Sequence, residues 1–279
     1  MATNLKRNLN LQFLTSISKK GVQVCSISST TSTTISSNHA RIPDPSFVNT
    51  LNAPFDFDAS CAVVYNEYIT STEEDLVAND IKNKMKRRRY EKGHWDAVIN
   101  LYKEVEIADD SFQEEGDEKN NYSEGIPKLF NRIRQQLAEH HLTDYYDDQE
   151  SIHWLPCHAI DLKKDGELNA HVDSVRFSGD LVAGLSLLSP SIMRLIPCDD
   201  NDDDDNKNSE NSTKDEEPYY VDMFLPPRSL YVLTGVGRYK YSHQLLPDGS
   251  IFHKTDTDIV VRRDHRLSVI FRDSKQPSS

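Results

Sequence analysis

The chain has 279 residues, 37% of them hydrophobic, and a formal net charge of −13. That length carries one sizeable core but not two large domains. No apolar run approaches the roughly 20 residues of a membrane-spanning helix, so no such span is expected. The four cysteines, Cys25, Cys61, Cys157 and Cys198, form no CxxC pair. This argues against a disulfide framework or a thiolate zinc site and fits a reducing compartment.

The charge is unevenly spread. No acidic residue precedes Asp44, while Lys6, Arg7, Lys19, Lys20 and Arg41 are basic and the SISSTTSTTISS stretch is dense in hydroxyls. Residues 1–43 therefore read as a mitochondrial transit peptide, with LKRNLNLQFLTSI as a short basic amphipathic helix; a disordered tail is the alternative. The acidic remainder repels nucleic acid over most of its surface, so any contact with RNA or DNA would need a local basic patch. KNKMKRRRY, Lys82 to Tyr90, is the candidate, although it also reads as the solvated face of a helix.

In chain order, FDFDASCAVVYNEYIT reads as a loop, a short buried stretch and a strand end. Ser71 followed by Glu74 suggests a capping box opening a helix that runs through DLVANDIKNKMKRR. GHWDAVINLYKEVEI suits a mixture of turn and strand, followed by an acidic, exposed stretch to Glu118. Ile126 to Leu142 has the three-and-four spacing of an amphipathic helix.

After Trp154 the pattern changes to short runs separated by turn residues. CHAIDL, LNAHV, DLVAGLSLL, IMRLIP, YYVDMFL, SLYVL, RYKYSHQL and RLSVIFR each read as a strand. This predicts an α+β, mainly β fold: a jelly roll with helices packed on one sheet. Residues 199–217, DDNDDDDNKNSENSTKDEE, have too much charge and too few apolar groups to fold alone, and read as a disordered acidic loop between two strands.

The chemistry concentrates in HVD. On a strand, His171 and Asp173 project from one face, and a histidine from a distant strand would complete a facial triad. That ligand set suits Fe(II) and leaves positions open for a cosubstrate and oxygen. His243, His253 and His265 are the candidates. His243 is preferred because YKYSHQL alternates as a strand should, whereas His253 follows the turn PDGS and His265 adjoins charged residues. A lone HxD is more often surface decoration. RLSVIFR adds weight: Arg266, Ser268, Ile270 and Arg272 share one face and Leu267, Val269 and Phe271 the other. Two arginines inside a barrel are costly without anions, and a dicarboxylate cosubstrate would supply them. An edge strand with its arginines in water is the alternative.

HVD, then YSH, then RLSVIFR with its RxxxxxR spacing, resembles the AlkB family of Fe(II)- and 2-oxoglutarate-dependent dioxygenases. RRRYEKGHWDAVI, the long HVDSVRFSGDLVAGLSLLSPSIMRLI stretch and SLYVLTGVGRYKYSH are similar to its mitochondrial members. The resemblance runs from about Val64 to Arg272. It implies a double-stranded β-helix over residues 44–279, with His171, Asp173 and His243 holding Fe(II). It also implies that Tyr231, Arg266 and Arg272 hold 2-oxoglutarate, to which Ser268 on the same strand face can add a hydroxyl donor, with O2 as the second cosubstrate. From the residues alone, Tyr231 is equally an ordinary core tyrosine.

The resemblance further implies a mitochondrial matrix enzyme linked to programmed necrosis and fatty-acid metabolism, acting on a protein or other non-duplex substrate. An RNA demethylase and a 2-oxoglutarate-sensing binding module are the alternatives. HAIDLKKDGELNAH offers no counterpart of the asparagine and tyrosine that nucleic-acid-repairing relatives carry ahead of the HxD strand. No nucleotide lid is evident, so duplex DNA is not the expected substrate. A monomer is expected.

Overall fold

A computed structural model describes residues 42–93, 98–107, 125–198 and 218–275. The 1–43 transit-peptide reading (apart from its last two residues), the acidic loop 199–217 and Cys25 lie outside them, as does most of the acidic stretch between Ile107 and Glu118. Among the described residues no helix is long and apolar enough to cross a membrane.

Among the described residues, ten strands make two facing sheets. The larger has the order β2 (Ala62–Tyr65), β8 (Ser229–Thr234), β5 (Ser178–Leu187), β12 (Arg266–Ser274), β4 (Cys157–Leu168), β3 (Ile99–Ile107). The smaller has the order β1 (Val48–Asn49), β7 (Val221–Leu225), β6 (Ser191–Pro197), β9 (Tyr241–Leu245). From β4 onward the chain alternates between them: β4 and β5 in the larger, β6 and β7 in the smaller, β8 back, β9 across, β12 back. All pairings are antiparallel. This is the double-stranded β-helix of a jelly roll.

Alternation along the strands builds two cores. Leu267, Val269 and Phe271 of β12 point outward, where α1 (Ser71–Met85) and α2 (Gly125–His141) cover the larger sheet. Val77, Ile81 and Met85 of α1 and Leu129, Phe130, Ile133 and Leu137 of α2 supply the other half of that layer. Phe130 meets Phe271 edge to face, with ring centroids 5.2 Å apart. Between the sheets, Val64, Tyr231 and Leu233 face Met193, Leu195, Met223 and Tyr241. Fully burying such a side chain contributes about 1.5–3 kcal/mol.

Several elements differ from the sequence reading. The capping box of α1 sits one residue earlier. Thr70 is the N-cap; its hydroxyl accepts from the Glu73 amide, and Glu73 accepts from the Thr70 amide at 2.8 Å. Glu74 is instead buried, accepting from the Leu188 amide and pairing with Arg228. The helix stops at Met85, short of Lys86 to Arg88. The mixed GHWDAVINLYKEVEI segment supplies a nine-residue edge strand, β3.

LNAHV is not a strand: β4 ends at Leu168, and His171 makes only an isolated bridge to His243. In RYKYSHQL, Arg238 and Tyr239 belong to a five-residue helix, α3 (Gly235–Tyr239), and only Tyr241–Leu245 is strand. The hairpin β10 (Ile251–Lys254) with β11 (Thr257–Val260) was not anticipated; its polar run TDTD hides the period-2 signal.

A candidate iron and cosubstrate site

The bridge between His171 and His243 is reciprocal. The His171 amide donates to the His243 carbonyl at 3.2 Å, and the His243 amide to the His171 carbonyl at 2.8 Å. The imidazoles therefore stand side by side, with centroids 4.3 Å apart. His171 Nδ1 donates to the Asn169 carbonyl at 2.9 Å, which leaves Nε2 as the free lone pair. His243 Nε2 lies 3.9 Å from Asp173 Oδ2. The His243 ring is buried, and that burial, reinforced by His171, lowers its pKa to about 4, so it is neutral at physiological pH. A neutral imidazole is the form that binds a metal. The three side chains adjoin one another without forming a closed cage. Among the described residues, no group of three His, Cys, Asp or Glu side chains is already drawn in tightly enough to hold an ion. The other candidate histidines stay on the surface: the side chains of His253 and His265 are more than half exposed.

The same cavity, about 170 Å³, is lined by His171, Asp173 and His243 and by Tyr231, Arg266, Ser268 and Arg272. Arg266 enters from β12 and is buried, with neither Nε nor one terminal nitrogen hydrogen-bonded. Burial without a carboxylate partner pulls its pKa down to about 10, leaving it charged at neutral pH. Tyr231 is fully buried beside it on β8, and desolvation pushes its phenol up to about 12. Arg272 NH1 lies 3.7 Å from Asp173 Oδ1, so Asp173 faces His243 with one oxygen and Arg272 with the other. β12 thus directs both arginines and Ser268 to the cavity through its even-numbered positions.

The rest of the wall is Ile99, Ile160, Leu162, Leu168, Met193 and Ile270, with Glu104 and His158. His158 Nδ1 pairs with Glu104 Oε1, and its Nε2 lies 3.6 Å from Glu106. Glu104 and His158 were missed in the sequence. Their one signal was Glu104 and Glu106 alternating on a run too irregular to read as a strand. Arg238 was missed as well: it is buried in α3 and donates to the backbone of Asp173 and Ser174.

No family model matches the chain. Over 211 residues it is 33% identical to the mouse (Mus musculus) protein named alpha-ketoglutarate-dependent dioxygenase alkB homolog 7, mitochondrial, covering 76% of this chain and 77% of the relative. The chain belongs to the AlkB family of 2-oxoglutarate-dependent dioxygenases. The bovine (Bos taurus) protein of the same name is 32% identical over 212 residues, covering 76% and 77%. Among solved structures, a Trichoplax adhaerens prolyl hydroxylase in complex with a hypoxia inducible factor peptide fragment has a TM-score of 0.46. It is 11% identical and covers 77% of this chain and 83% of its own.

This AlkB-family chain is thus a dioxygenase, and the family's reaction generally uses Fe(II), 2-oxoglutarate and O2. The residues present fit those groups. Two imidazoles and a carboxylate are a ligand set suited to Fe(II), and a buried guanidinium with unused donors is what a dicarboxylate would satisfy.

Proposed function

We propose that the protein is a mitochondrial enzyme that oxidises a protein side chain or another non-duplex substrate, with His171, Asp173 and His243 as iron ligands. Tyr231, Arg266 and Ser268 take the far carboxylate of 2-oxoglutarate: the guanidinium supplies the forked donors and the two hydroxyls add one each. Arg272 stands on the metal side of the cavity, holding Asp173 and facing the cosubstrate's other end. The domain spans residues 44–279, behind a matrix-targeting segment at 1–43. The names of the relatives and the acid-free basic composition of that segment support the address.

With its groups bound, the centre supplies a two-electron oxidation of a C–H bond, 2-oxoglutarate leaving as succinate and CO2. The protein's part is orientation and exclusion of water. The reading rests on one observation above the others, the buried guanidinium of Arg266 with unpartnered nitrogens facing the triad.

The wall that these residues leave over favours a protein side chain. It is aliphatic, and its polar groups are the Glu104–His158 pair, which opposes a phosphate. Among the described residues Tyr231 and the histidines are the cavity's aromatic lining, and neither Trp nor Phe lines it to stack a flipped base. A link to programmed necrosis and fatty-acid metabolism belongs to this first reading; RNA demethylation and 2-oxoglutarate sensing without turnover are the second and third.

The test is anaerobic addition of Fe(II) and then 2-oxoglutarate to the purified protein, watching for the metal-to-ligand charge-transfer band. Wild type is expected to show it, His171→Ala to lose it and Arg266→Ala to need far more 2-oxoglutarate. Wild type that binds iron and never gives the band would sink the cosubstrate assignment.

A further inference from the structure

The segment that follows Asp173 has little of its own to hold it. Ser174 to Phe177 is a turn, and its two apolar side chains, Val175 and Phe177, are 47% and 64% exposed among the described residues, so neither anchors it. It is secured from outside. Arg238 NH1 donates to the Asp173 carbonyl at 3.1 Å and its NH2 to the Ser174 carbonyl at 3.2 Å. The neighbouring Tyr239 hydroxyl lies 2.9 Å from both the Gly179 carbonyl and Asp180 Oδ1. Consecutive residues of α3 therefore hold the start of the turn and the first residues of β5 that follow it.

The grip needs a fixed base, and α3 has one. A Cβ at Gly237 would come within 2.7 Å of the Cys61 carbonyl, so only glycine lets the helix press against the 3-10 turn Ala59–Cys61. Beyond α3 the chain runs straight into β9, which carries His243. Arg238 is 2% exposed, and its guanidinium donates to two backbone carbonyls. Burying a guanidinium whose hydrogen bonds go to neutral carbonyls is a costly way to gain stability. What the arrangement provides is geometry, since a planar fork onto successive carbonyls fixes the peptide between them.

We propose that Arg238, seconded by Tyr239, is a positioning residue: it sets the Asp173 carboxylate for the metal and ties the HxD loop to the element that delivers His243. The inference rests on the ligand assignment proposed above. Partners that orient metal ligands typically contribute about 10–100-fold to metal affinity.

The experiment measures Fe(II) affinity by anaerobic equilibrium dialysis and, separately, the 2-oxoglutarate charge-transfer band, in wild type, Arg238→Met, Arg238→Lys and Tyr239→Phe. Circular dichroism at the same temperature reports folding. Folded Arg238→Met is expected to bind iron about 10–100-fold more weakly, with a weakened or shifted band. Arg238→Lys keeps the charge without the fork and should fall between it and wild type, and Tyr239→Phe should lose less. A folded Arg238→Met with wild-type iron affinity and band overturns the proposal. If that variant does not fold, wild-type iron affinity in both Arg238→Lys and Tyr239→Phe overturns it. Wild type that binds iron without a band defeats the cosubstrate reading alone, since the iron affinities still decide the role of Arg238. Wild type that binds no iron defeats both.

Discussion

Gly184 on β5 faces Tyr231 on β8 across the antiparallel ladder, and the tyrosine ring fills the space where a side chain at 184 would stand. A Cβ there would lie 2.6 Å from the phenolic oxygen and closer still to the ring. Gly184→Ala must therefore push a fully buried ring into the cavity or out of register. The expected result is a loss of 2-oxoglutarate affinity of at least about tenfold, equivalent to about 1.4 kcal/mol, with iron affinity unchanged. Titrating the charge-transfer band against 2-oxoglutarate at saturating Fe(II) reads both.

Arg266 gives a trade between stability and binding. Its buried charge has two unpartnered nitrogens, and an unsatisfied buried polar group costs about 1–3 kcal/mol, more when charged. Arg266→Met removes that cost at similar length. The metal-free variant should melt higher than metal-free wild type, while 2-oxoglutarate no longer raises its Tm. Thermal unfolding with and without 2-oxoglutarate checks both halves; a lower Tm in the metal-free variant would contradict the reading of Arg266 as an unpaired charge.

The acid limb of stability should depend on His141. This imidazole packs against Tyr65, whose hydroxyl is 2.7 Å from its Nε2, and burial, with a lesser push from His140, lowers its pKa from 6.5 to about 4. The unfolded chain therefore takes up a proton first as pH falls. The contribution is complete above pH 6.5 and is lost between about pH 6.5 and 4. His141→Gln should flatten the urea midpoint across that window relative to wild type. Equal slopes in both proteins would rule His141 out as the source.

Asp273 anchors the start of β5. Its carboxylate is fully buried, accepting from the Asp180 and Leu181 amides at 3.0 and 2.9 Å and from the Tyr146 hydroxyl at 2.7 Å. Asp273→Asn turns an amide donor toward one of those donors and should cost about 1–3 kcal/mol. Since Asp273 points away from the cavity, iron affinity at low temperature should be unchanged, as chemical denaturation paired with equilibrium dialysis would show.

What was legible in the sequence is what repeats with a short period. RLSVIFR declared its two faces because every second residue of β12 changes character, and Ile126 to Leu142 declared a helix through its apolar spacing of three and four. The position of His243 was legible through YSHQL. HVD was read as part of a strand, but the two residues lie past the end of β4, and their proximity to His243 comes from one pair of amide hydrogen bonds that no local pattern encodes. Thr70 and Ser71 are equivalent as caps by type, and only the backbone conformation chooses Thr70. Arg238 was hidden for a further reason. A buried arginine that serves carbonyls has no acidic partner in the sequence to betray it.

The His171–His243 bridge bears on how the proposed iron ligands become neighbours. The two imidazoles are set side by side by a reciprocal pair of main-chain hydrogen bonds. Their spacing is therefore a property of the backbone, and replacing either imidazole by alanine takes away a proposed ligand without taking away the bridge that joins loop to strand.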